Sequence, residues 1–64
     1  MNTWIITAVD PDELEAGSAE RGTVATLHGV TRGEALARGC EAIVDGFLDV
    51  QVESTFRTYS LVGA

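Results

Sequence analysis

Residues Asp49–Val62 read Asp-Val-Gln-Val-Glu-Ser-Thr-Phe-Arg-Thr-Tyr-Ser-Leu-Val. Whether they form one strand or two sets the size of any sheet this chain can build. The run is rich in β-branched and aromatic residues, the composition of a strand. Alternation puts Val50, Val52 and Phe56 on one face and Gln51, Glu53 and Arg57 on the other. The phase then slips, because Tyr59 and Leu61 fall on the polar side. A bulge near Thr55–Thr58, or a break into two short strands, would account for the slip. No Gly, Pro or Asn supplies a turn, so one long bent strand is the expected form.

Immediately upstream lies the strongest helical signal. Thr31 and Glu34 have capping-box spacing, and Leu36, Cys40, Ile43 and Phe47 recur at i, i+4, i+7 and i+11. Glu34, Arg38, Glu41 and Asp45 fall opposite, with Glu34 and Arg38 a favourable i, i+4 pair. Gly46 is a natural stop. This predicts a helix over about Arg32–Asp45, with Cys40 as inert packing on its apolar face.

Further toward the N-terminus, Gly22–Val30 reads as a strand. Val24, Thr26, His28 and Val30 share one face, Thr23, Ala25 and Leu27 the other, and Gly29 marks a bulge or the strand's end. Thr3–Val9 reads as another strand, with Trp4, Ile6 and Ala8 on one face and Ile5 and Val9 on the other. Both faces are apolar enough to place it centrally. Between these strands, Asp10 is a plausible N-cap, Pro11 suits the first helical position, Glu13 has capping-box spacing, and Gly17 stops the helix after little more than a turn.

The expected architecture is therefore a single α+β domain over residues 1–64, a small β-β-α-β unit. It has a three-stranded mixed sheet, one amphipathic helix on one face and a short helical turn after the first strand. A right-handed crossover would set the last strand parallel to the second, either beside it or across the first strand. The other sheet face would keep part of Trp4–Val9 and the Tyr59/Leu61 edge uncovered, a reason to expect a homodimer or a docked partner.

Composition narrows the function classes. A 64-residue chain buries only about 60% of the surface its unfolded form exposes. Such domains lean on disulfides, metals or association. Cys40 is the only cysteine and His28 the only histidine, so neither an internal disulfide nor a structural zinc site is expected, and no cofactor is expected. Ten acids against four basic residues give a net charge of −6. That argues against direct nucleic-acid binding and against an anionic membrane surface. No run suits a membrane span or a secretory leader, and a lone cysteine fits a reducing compartment, so a cytoplasmic location is expected. All four basic residues are arginine, a bias that suggests a high-GC genome.

The chemistry-bearing residues concentrate in two places. Asp10, Asp12, Glu13, Glu15 and Glu20 put five of the ten acids into eleven residues. They read either as a solvated loop or as a surface that captures a basic partner protein. Their spacing does not match a calcium loop. Arg57 and Tyr59 would supply an anchor, because arginine and aromatics dominate interface hot spots. Trp4 reads as core. His28 and Cys40, with Asp45 or Asp49, do not have the spacing of a catalytic set, and the glycines form no nucleotide-binding loop.

The run Thr31–Leu48, through Thr31, Glu34, Ala35, Leu36, Glu41, Ala42 and Ile43, resembles the helix of HicB-type antitoxins. Those are small α+β domains that neutralise a partner ribonuclease toxin, and the resemblance implies a partner-neutralising role.

The expectation is thus a non-enzymatic, acidic protein-binding module with partner-binding residues Asp12, Glu13, Glu15, Glu20, Arg57 and Tyr59. A phage or mobile-element regulator or inhibitor acting on a host protein would fit. A homo-oligomeric structural protein and the antitoxin-like domain are the alternatives.

Overall fold

A computed structural model describes residues 3–17 and 20–61. The expected end of the last strand at Val62 lies outside the described residues. The elements run β1 (Thr3–Val9), α1 (Pro11–Glu15), β2 (Arg21–His28), α2 (Arg32–Val44), β3 (Leu48–Glu53) and β4 (Thr58–Leu61). The sheet order is β2-β1-β3-β4 and every neighbouring pair is antiparallel. This corrects the expected three-stranded mixed sheet, though the chain remains α+β. β2 and β3 do run parallel, but β1 lies between them, so no parallel ladder forms.

The fourth strand follows a turn that Ser54 makes, where glycine or proline is usual. Its Oγ accepts from the backbone N–H of Arg57 at 3.2 Å and of Phe56 at 3.4 Å, while its own N–H donates to the Arg57 carbonyl at 2.7 Å. A serine hydroxyl that binds backbone two and three residues on is a turn former in its own right. The turn resets the alternation. Val50 pairs with Leu61 and Val52 with Tyr59, so all four face the helix. Tyr59 and Leu61 are therefore not on an uncovered polar side. Phe56, expected beside Val50 and Val52, sits in the turn at 90% exposure.

Two bulges bend the other ladders. Ile6 pairs with Ala25 but Thr7 with Thr23, leaving Val24 unpaired and packed against the core. The expected face of Val24 with Thr26 and His28 is thereby broken. In β3, Asp49 takes φ +51° where the register to β1 shifts, a conformation aspartate tolerates better than most side chains. Arg21 reaches across β1 to hold this bulge. It donates to the Asp49 carbonyl at 2.7 Å and to Thr7 Oγ1 at 3.1 Å, and it pairs with the Asp49 carboxylate.

α2 lies over β1 and β3. Its capping box is present as expected, with Thr31 Oγ1 accepting from Glu34 N–H at 3.1 Å and Glu34 Oε1 accepting from Thr31 N–H at 3.2 Å. Its buried face differs from the expected one. Ala35, Gly39 and Ala42 are buried, Leu36 and Ile43 flank them, and Cys40 is exposed. A small-residue seam wins because the sheet supplies the bulk: Ile6, Val50 and Val52 are almost fully buried beneath it. Arg38 pairs with Glu41 at 3.7 Å, since Glu34 is engaged in the cap.

The opposite sheet face is polar. Pairing puts Thr7 beside Thr23 and Gln51, and Ile5 between Thr26 and Glu53, with Thr58 and Ser60 opposite Glu53 and Gln51. An antiparallel sheet can leave such a face in water, so the apolar face expected to demand a dimer is not the one the fold leaves open.

Candidate functional site

The expected partner-binding residues fall at two ends of the sheet. α1 begins where β1 ends. Asp10 Oδ1 caps it by accepting from Asp12 N–H at 2.9 Å, and Asp12 and Glu13 occupy its first turn. Asp12, Glu13, Glu15 and Glu20 are all exposed. Among the described residues no group of three or more His, Cys, Asp or Glu could hold a metal ion. His28 pairs across the sheet with Thr3 on the polar face, its Nδ1 3.2 Å from Thr3 Oγ1. Cys40 is on the exposed side of α2, so the fold does not bring the two together.

Arg57 and Tyr59 lie at the other end, where β1 begins. β1 spans seven residues, roughly 23 Å at about 3.3 Å per residue. There the β3–β4 turn, the start of β1 and the first residue of α2 enclose an open cleft of about 420 Å³. Its walls include Trp4, Arg32, Ser54, Phe56, Arg57 and Tyr59, and none of its lining residues is acidic. Of the four arginines, Arg21 is paired with Asp49 and Arg38 with Glu41. Arg32 and Arg57 have no acidic partner among the described residues. The two cations left over thus meet in one place.

The cleft also gathers two orphaned polar groups. Trp4 is 5% exposed, and its Nε1 is shut off from water with no hydrogen-bond partner among the described residues; the same holds for Tyr59 Oη. Their rings stand 6.3 Å apart and tilted by 32°, within the range of favourable aromatic pairs. Unpartnered buried polar atoms are uncommon enough to require a reason.

The Arg32 guanidinium on the same cleft wall favours the phenolate and holds the Tyr59 pKa below its ordinary value of 10.0. Burial opposes this, and Arg57 and the charges of both guanidiniums add to it. Tyr59 is the only tyrosine, so an ultraviolet titration reads it alone. The wild-type phenol should ionise below the ordinary value, and Arg32→Gln should move it back further than Arg57→Gln does. An identical midpoint in wild type and the double variant would show that neither cation faces the phenol. A depressed acid pKa adds stability only above the unfolded value, and loses it as pH falls through the folded value. The effect is therefore confined to alkaline pH and absent at neutrality.

Of the residues that line the cleft, the sequence singled out Arg57 and Tyr59 but not Arg32 or Ser54. Arg32 read as an ordinary first-turn residue, and nothing local links it to a turn more than twenty positions later. Ser54 carried a signal that was available, a hydroxyl able to bind backbone two and three residues on.

No protein-family model, curated protein or solved structure shows a significant match to this chain.

Proposed function

We propose that this chain is a non-enzymatic binding module that docks on another protein through the cleft between Arg32, Phe56, Arg57 and Tyr59. One observation carries the reading: the two arginines without an acidic partner among the described residues converge on a single acid-free cleft beside a phenylalanine at 90% exposure. Arginine and aromatic side chains are the usual anchors of protein interfaces. Asp12, Glu13, Glu15 and Glu20, at the far end, would act at longer range, favouring a partner with a basic surface and raising its on-rate. A regulator or inhibitor needs no more than this, because occupying a partner's surface is its whole action.

The test compares capture from a lysate of the source cells by three immobilised chains. These are the wild type, a Phe56→Ser/Arg57→Glu double variant, and an Asp12→Asn/Glu13→Gln/Glu15→Gln triple variant. Phe56 and Arg57 are exposed turn residues, so circular dichroism and thermal unfolding should be unchanged. A protein retained by wild type should be lost on the double variant, while the triple variant should keep it but bind it more slowly. Equal retention by wild type and the double variant would place docking elsewhere and defeat the proposal.

A further inference from the structure

We propose that the cleft recognises one carboxylate of an acidic peptide segment on the partner, clamped between Arg32 and Arg57 with an adjoining apolar side chain against Phe56. This rests on the docking reading above and names the chemistry of what docks.

Three features select the occupant. The first is charge. In a chain of net charge −6, both arginines lacking an acidic partner among the described residues line one cleft that holds no acid. A guanidinium presents a planar fork of donors matched to the two oxygens of a carboxylate. The second is the number of donors. A phosphate dianion on a helix start uses the free N–H groups of the first turn. Here the Glu34 N–H of that turn is already served by Thr31 Oγ1 and the Thr31 N–H by the Glu34 carboxylate, which leaves fewer donors for a dianion. Two guanidiniums with the neighbouring hydroxyl of Thr55 suit a monoanion instead. The third is the apolar rim. Phe56 is 90% exposed next to Arg57, a contact that a free inorganic ion or acetate would not use but a peptide side chain would.

The chain carries its own reporters, being limited to one tryptophan and one tyrosine, both in the cleft wall. The probe is an N-acetylated, C-amidated pentapeptide with one glutamate between two leucines. Comparators carry glutamine or phosphoserine in place of the glutamate, and acetate serves as the free ion. Trp4 fluorescence should change saturably with the glutamate peptide, at least tenfold more tightly than with the glutamine peptide. The complex should weaken as salt rises. Arg57→Lys keeps the charge but loses the fork, and should fall between wild type and Arg57→Gln. The bound carboxylate should also push the Tyr59 ionisation upward, which a merely structural role for the arginines would not do.

Equal binding of the glutamate and glutamine peptides would overturn the proposal, as would no response to the glutamate peptide at millimolar concentration. Tighter binding of the phosphoserine peptide would overturn it in favour of phosphate recognition. Self-association of the chain that the Asp12→Asn/Glu13→Gln/Glu15→Gln variant abolishes would make a second copy the occupant and overturn it as well. The docking reading is judged separately. A partner whose capture depends on Phe56 and Arg57, yet is not competed by the glutamate peptide, leaves docking standing and removes the carboxylate.

Discussion

Replacing Gly39 with alanine will destabilise this protein, although alanine is the better helix former. In an exposed helix the exchange would stabilise by about 1 kcal/mol. A Cβ at Gly39 would stand 2.6 Å from Val52 Cγ2 and 2.6 Å from Leu61 Cδ1. Leu61 is flexible and can rotate aside. Val52 is β-branched, fully buried and hemmed in by the central strand, so it cannot. Overpacking of this kind typically costs ~1–3 kcal/mol. The net expectation is a loss of up to about 2 kcal/mol, and each kcal/mol lowers Tm by about 4–8 °C in a domain this small. Gly39→Leu should abolish folding.

Gly33 on the same helix is the control. A Cβ there meets only Thr31 Oγ1 at 3.9 Å, so Gly33→Ala should leave Tm unchanged or raise it. Thermal unfolding of the two variants side by side checks the seam. Equal upward shifts would mean that α2 does not approach the sheet through Gly39.

Ile6→Ala should be more damaging than Ile5→Ala by a wide margin. Ile6 is fully buried on the helix face of the central strand, paired to Ala25 on one side and Val52 on the other. Truncating such a residue costs about 2–5 kcal/mol, the transfer of the lost methyls plus the cavity they leave. A chain of 64 residues has roughly 3–10 kcal/mol of total stability at ~0.05–0.15 kcal/mol per residue. Ile6→Ala therefore removes much or all of it. Ile5, the adjacent residue, is 37% exposed on the polar face, and its truncation should cost less than about 1 kcal/mol. Urea unfolding of both variants reads the difference. Similar losses would mean that both sheet faces are covered, as in a tight dimer.

Much of the local structure was legible in the residues themselves. The bounds of β1 are those its composition predicts. Asp10 caps α1, the Thr31/Glu34 box opens α2, and Gly17 and Gly46 stop the two helices at φ +82° and +99°. These features depend on hydrogen bonds and sterics within three or four residues, which a linear reading contains. Arg57 and Tyr59 were likewise visible as chemically suited to an anchor.

What the linear reading lacked was the third dimension of each choice. Ser54 has the chemistry to turn the chain, but the turn forms because β4 gains a ladder against β3 and buries Tyr59 and Leu61 under α2. The periodicity of α2 reads as one stripe through Leu36, Cys40, Ile43 and Phe47, whereas the fold buries Ala35, Gly39 and Ala42. Only the bulk of Val50, Val52 and Ile6 opposite decides that the small stripe goes in. The bulges at Val24 and Asp49 shift the alternation of whole strands and have no signature of their own. The cleft is the clearest case. Arg32 and Arg57 are distant in sequence; they line one cleft because a helix start and a hairpin turn close on the same end of the sheet. Short-range hydrogen bonding belongs to the sequence by itself. Which faces fit together, and which charges are left without an acidic partner among the described residues, is decided by packing between elements far apart along the chain.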